Sequence, residues 1–75
     1  GAYHRNSSVT ILPGIGPKAI ERFKAVGIEK MDDLEKNPGW ENFMFINEKG
    51  NPQFILDAGD RKAAKLAAEK WFKEN

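Results

Sequence analysis

Leu12-Pro13-Gly14-Ile15-Gly16-Pro17-Lys18 is the stretch that most restricts what this chain can become. Two prolines and two glycines fall within seven residues, and helical periodicity begins directly after them. Pro13 opposes continuation of any preceding helix, because its ring clashes and it has no N–H. Gly14 and Gly16 permit a tight reversal with positive φ and let another group approach the backbone. Pro17 suits the first helical position, where its missing N–H costs nothing. The reversal leaves the amides of Ile15, Gly16, Lys18 and Ala19 at the N-terminal end of a new helix. Free N–H groups and the positive end of a helix macrodipole attract anions. Lys18 adds a full positive charge one residue inside that helix, and Arg22 follows on the same side.

The pattern predicts a helix from Gly16 to about Val26, with Ala19, Ile20, Phe23 and Val26 as its inner stripe. Gly27 suits the residue that stops it. Ile28, Met31 and Leu34 predict a short amphipathic helix, ended by Asn37-Pro38-Gly39. Asp32, Asp33 and Glu35 read as a solvated acidic face in preference to metal ligands. Two apolar runs, Phe43 to Ile46 and Gln53 to Leu56, flank a polar turn containing Asn47 and Gly50. That arrangement favours a short β-hairpin around residues 43–56, with a helix from Trp40 to Ile46 plus a loop as the alternative. The aromatics Trp40, Phe43, Phe45 and Phe54 suit core packing better than a base-stacking platform in so small a chain. A last helix is predicted from about Asp60 to Lys73, with Asp60 as N-cap. Ala63, Ala64, Ala67, Ala68, Trp71 and Phe72 form its inner face, and Lys65 is positioned to pair with Glu69.

The run from Leu12 to Ala19, with Glu21-Arg22-Phe23 and then Gly27-Ile28, resembles the helix-hairpin-helix motif of many DNA-binding proteins. The resemblance covers about residues 8–36. It departs from the family pattern at Ile20, where the family usually has Ala four residues after the second glycine; here Ala19 precedes that position. The resemblance implies a mainly α, small SAM-like helix-hairpin-helix domain. It also makes Ser7 or Ser8 the cap of a short helical turn running to Leu12, although Val9, Thr10 and Ile11 favour a strand by propensity. In such motifs the hairpin amides hold a DNA phosphate without reading bases. Carried onto this chain, Gly14, Ile15, Gly16, Lys18, Ala19 and Arg22 form the DNA-binding site, with Ile15 pointing inward as anchor. Ile55 to Gly59 faintly echoes the first turn, with one glycine fewer. A degenerate second hairpin there would add Gly59, Arg61 and Lys62 to the site, on the far strand of a duplex minor groove. Related hairpins bind a monovalent cation through carbonyls, which is the one cofactor the resemblance allows.

The chain has 75 residues and no cysteine, so one thin-cored domain without disulfide or thiolate metal support is expected, spanning residues 8–75. Residues 1–7 read as a polar flexible tail, in which His4 and Arg5 lie near any bound polyanion. Gly1-Ala2 has the look of a cloning remnant, which makes an excised domain the expectation. The net charge of +1 predicts no partner, but its distribution is informative. Residues 11–27 carry three cations against one acid, residues 28–59 three against seven, and residues 60–75 five against three. Two basic segments thus bracket an acidic middle. No apolar run is long enough to span a bilayer, and nothing reads as a signal peptide, so no membrane partner is expected.

There is no Walker loop, no paired His or Cys for zinc, and no Ser-His arrangement for nucleophilic catalysis. Helix-hairpin-helix glycosylases use a lysine at the position Lys18 holds. This chain is too short to build their base-flipping pocket, so an enzyme is not expected. The expected function is binding of duplex DNA through backbone phosphates, without sequence preference, as an intracellular module of a DNA repair or replication protein. The alternative is a protein–protein module in such a protein, with the acidic middle and the exposed remainder of the aromatics as its contact.

Overall fold

The computed structural model describes residues 6–74. Its fold is mainly α: helices α1 (Pro17–Ala25), α2 (Met31–Lys36) and α3 (Ala58–Glu74) accompany one two-stranded antiparallel sheet, β1 (Met44–Ile46) and β2 (Pro52–Phe54). Single 3-10 turns at Val9–Ile11 and Trp40–Asn42 complete the described elements. The tail reading for residues 1–7 falls mostly on residues outside the described range.

Ser8 caps the first 3-10 turn, its hydroxyl accepting from the Thr10 amide at 3.2 Å. The same segment pairs with the chain ahead of α2. The Met31 N–H donates to the Ser7 carbonyl at 2.8 Å and Val9 N–H to the Glu29 carbonyl at 3.2 Å. Helix α1 starts as its residues dictate, with Gly16 extended at the N-cap and Pro17 first inside. It ends in a Schellman arrangement: Gly27 at φ +88° sends its N–H to Lys24, and Ile28 sends its own to Phe23. Ile28 and Phe23 are both buried, so the same turn delivers a core contact. At the head of α2, the Asp33 carboxylate accepts from the Glu29 and Lys30 amides, each at 3.0 Å. Those two bonds, that to Glu29 foremost, hold the Asp33 carboxyl below its usual range.

The alternative of a helix through Ile46 is not realised. The chain makes one 3-10 turn, then enters β1, which pairs with β2 through Met44 opposite Phe54, Phe45 opposite Gln53 and Ile46 opposite Pro52. Asn47 organises the connection: its side-chain oxygen accepts from Lys49 and Asn51 amides, and Gly50 sits at φ +81°.

Phe23, wholly buried, lies at the centre of the core and meets the Trp40 ring edge-to-face at 6.1 Å. Val9, Leu12, Ile15, Met31, Leu34 and Leu56 pack around it, and Ala64 and Ala68 bring α3 in closely. Several sequence expectations are corrected here. Val26, placed on the inner stripe of α1, is 42% exposed, because the Schellman turn swings the chain away from the core at that point. Ala63 faces solvent, since α3 docks through Ala64 and Ala68. The N-cap of α3 is Asp57, not Asp60: its carboxylate takes the Asp60 N–H at 2.9 Å and its carbonyl the Arg61 N–H at 2.8 Å. Lys65 pairs with Glu41 at 3.3 Å instead of with Glu69, because the Trp40–Asn42 turn packs on α3 and carries a nearly buried carboxylate to it. Among the four candidate core aromatics, Trp40 is buried, Phe43 and Phe45 are partly buried against the core, and Phe54 is 38% exposed.

Candidate nucleic-acid interface

A tight reversal joins the first 3-10 turn to α1. Gly14 takes φ +82°, a conformation that a side chain would strain. Leu12 and Ile15 point inward and are buried, which anchors the turn on both sides of Gly14. Ala19 is buried on the first turn of α1 and Ile20 only half-buried, so the small inner residue of this helix is Ala19. Gly14, Gly16 and Lys18 remain exposed. No protein acceptor takes the amides of Ile15, Gly16, Lys18 or Ala19 among the described residues. These are the orphan donors that every helix start leaves.

The turn borders an open groove of about 770 Å³. On the α1 side it is lined by Gly14, Lys18 and Arg22; on the other by Phe54, Asp57 and Asp60. The start of α3 therefore leans on the glycine turn. A Cβ built on Gly14 would lie 2.8 Å from the Asp60 Oδ1 and 2.9 Å from its Cβ. Nothing lies within 4 Å of one built on Gly16, so a side chain there would meet open space.

Two arginines stand over aromatic rings on the two faces of the β-ribbon. The Arg22 guanidinium stands 3.8 Å from the centre of the Phe45 ring, and that of Arg61 stands 3.8 Å from the Phe54 ring. Such stacking orders the cations while leaving their N–H donors available. Lys18 makes no ion pair among the described residues.

Gly14, Gly16, Lys18, Ala19 and Arg22 thus line one groove, whereas Ile15 is buried in the turn and Arg61 reaches the groove only through Phe54, over whose ring it stands. Lys62 is exposed on α3 but does not line the groove. The second glycine turn is absent. Gly59 is the second residue of α3, without positive φ, because the Asp57 cap draws the chain straight into helix. Sequence reasoning missed Asp57, Asp60 and Phe54 as groove residues. Both aspartates are legible as helix-start residues, but no local signal places that helix start against Gly14. No group of three or more His, Cys, Asp or Glu able to hold a metal is formed among the described residues. Comparison with known proteins adds nothing: no family model, no curated protein and no solved structure matches the chain.

Proposed function

We propose that this chain is a DNA-binding module of the helix-hairpin-helix type that grips backbone phosphate without reading sequence, and that it is not an enzyme. The observation that carries the reading is the run of unpartnered amides from Ile15 to Ala19 beside a groove that Gly16, Lys18, Ala19 and Arg22 line. A phosphate oxygen accepts from such amides, and the two cations neutralise its charge. The groove also holds two carboxylates, but both belong to the start of α3. Asp57 spends its carboxylate on the Asp60 N–H, and the α3 macrodipole offsets Asp60. The resulting balance makes for weak binding.

The exposed apolar side of the β-ribbon is the one observation that favours a protein partner instead. Its three-residue strands span only about 10 by 10 Å from strand rise and spacing, room for a few hundred Å² of accessible side-chain surface at most. A stable protein interface takes about 800 Å² per partner, so this face alone does not make one.

The test is duplex binding, followed by anisotropy, across a salt series. Lys18→Ala weakens binding to all duplex sequences alike and flattens the log–log salt slope by about 0.9, the share of the one phosphate that Lys18 neutralises. An unchanged slope, or weakening confined to some sequences, overturns the role given to Lys18.

A further inference from the structure

The β-ribbon has an apolar face that the core leaves exposed. Register and alternation put Met44, Ile46, Pro52 and Phe54 on one side, Met44 opposite Phe54 and Ile46 opposite Pro52. All four are exposed, Ile46 to 68% and Met44 to 46%. In a chain with so few apolar residues to spare for its core, four of them stand together in solvent.

We infer that this face takes an unpaired base of bound DNA, so that the preferred ligand carries single-stranded nucleotides beside a duplex. The inference rests on the phosphate reading above and extends it to the structure of the DNA. Three observations converge. Phe54 lies on this face and also lines the groove that begins at Gly14 and Lys18, so the apolar patch and the phosphate position are continuous. Arg61 is stacked on the Phe54 ring at 3.8 Å and is only partly buried, which sets a cation and a flat guanidinium at the edge of the patch. Aromatic rings and guanidinium planes are the surfaces on which unpaired bases stack, and their charge suits the flanking phosphates. The footprint is also the right scale: it covers a base or two and falls far short of what a stable dimer of this chain buries. Paired bases inside a duplex offer no free face to such a patch, whereas an overhang does.

The experiment compares a blunt duplex with the same duplex carrying a short 3′ or 5′ overhang, with 2-aminopurine as the first unpaired base. The wild-type chain binds the overhang duplex about fivefold or more tightly, and 2-aminopurine fluorescence is quenched by stacking. Phe54→Leu keeps an apolar side chain and Arg61→Lys keeps the charge; both remove the flat surface. In each, the ratio of overhang to blunt affinity falls to about one and the quench disappears, with melting curves verifying that the variants are folded. Equal affinity of the wild type for the two duplexes, without quench, overturns the inference and leaves the phosphate reading standing. Binding to neither duplex overturns both. Self-association of the wild type that the same variants abolish assigns the face to a second copy of the chain and overturns the inference.

Discussion

Gly14→Ala tests the contact that builds the groove. Two separate costs arise at this position. Holding Ala at φ +82° costs ~1–2 kcal/mol, because Cβ crowds the carbonyl. The new Cβ also falls 2.8–2.9 Å from the Oδ1, Cβ and Cγ of Asp60. Rotation swings Oδ1 aside but leaves the Asp60 Cβ where the α3 backbone holds it. Relief must therefore come from a shift of the helix start, an overpacking cost of ~1–3 kcal/mol. Together these make ~2–5 kcal/mol, against a total stability of ~4–11 kcal/mol for a chain of this length. Asp60→Gly deletes the clashing atoms and costs ~1 kcal/mol as a helical glycine. In the double variant the clash disappears, while the φ cost and the helical-glycine cost both remain. A double-mutant cycle by urea unfolding, followed by far-UV circular dichroism, should return a coupling of ~1–3 kcal/mol, the pair being less damaging than the sum of its parts. Gly16→Ala is the control: its backbone is extended with nothing within 4 Å, so it costs only the N-cap preference, under ~1 kcal/mol. Additivity of Gly14→Ala and Asp60→Gly within ~0.5 kcal/mol would refute the packing of α3 on the glycine turn.

Three further outcomes follow from the same geometry. Asp60→Asn removes a negative charge beside the proposed phosphate position. One unit-charge pair about 4 Å apart in water is worth ~1 kcal/mol, so duplex affinity at low salt rises about fivefold; an unchanged affinity removes the phosphate from that position. Asp33→Ala loses two amide bonds at the head of α2 and costs ~1 kcal/mol at neutral pH. Because folding lowers the Asp33 pKa, its contribution is full above the unfolded value near 3.8 and fades as pH falls through the folded value. The gap between wild type and variant in thermal unfolding should therefore narrow below about pH 4, and a gap of equal size at pH 7 and pH 3 contradicts the assignment. Phe23→Ala empties the centre of the core and costs ~3–5 kcal/mol, a large share of the total; a loss under ~2 kcal/mol in urea unfolding means that Phe23 is not the central packing residue.

What could be read in the sequence was what the backbone imposes locally. Gly16 and Pro17 start α1 because one tolerates an extended cap and the other has no N–H to satisfy. Gly27 stops it because only glycine enters the left-handed region without cost. Asn47 and Gly50 turn the ribbon for similarly local reasons. Gly14, Gly16 and Lys18 were legible together because they are neighbours in the chain. The cap of α3 was harder: Asp57 and Asp60 are both suited to the role, and the choice of Asp57 adds residues to the helix and turns Gly59 from a hairpin glycine into a helical one.

Everything that depends on which surfaces meet was decided by the tertiary structure. Lys65 has a local partner available in Glu69, yet packing of the Trp40–Asn42 turn on α3 brings it Glu41. Ala63 and Ala64 are adjacent and equally small, and only the docking direction of α3 buries one and exposes the other. Asp60 against Gly14, and Arg61 on Phe54, join segments that no periodicity connects. Helix starts and turns answer to the stereochemistry of a few successive residues, whereas a groove between two elements answers to how a whole core closes around Phe23. The sequence therefore announced a glycine turn at a helix start, and the folded chain determined that two carboxylates and Phe54 would line one groove with it.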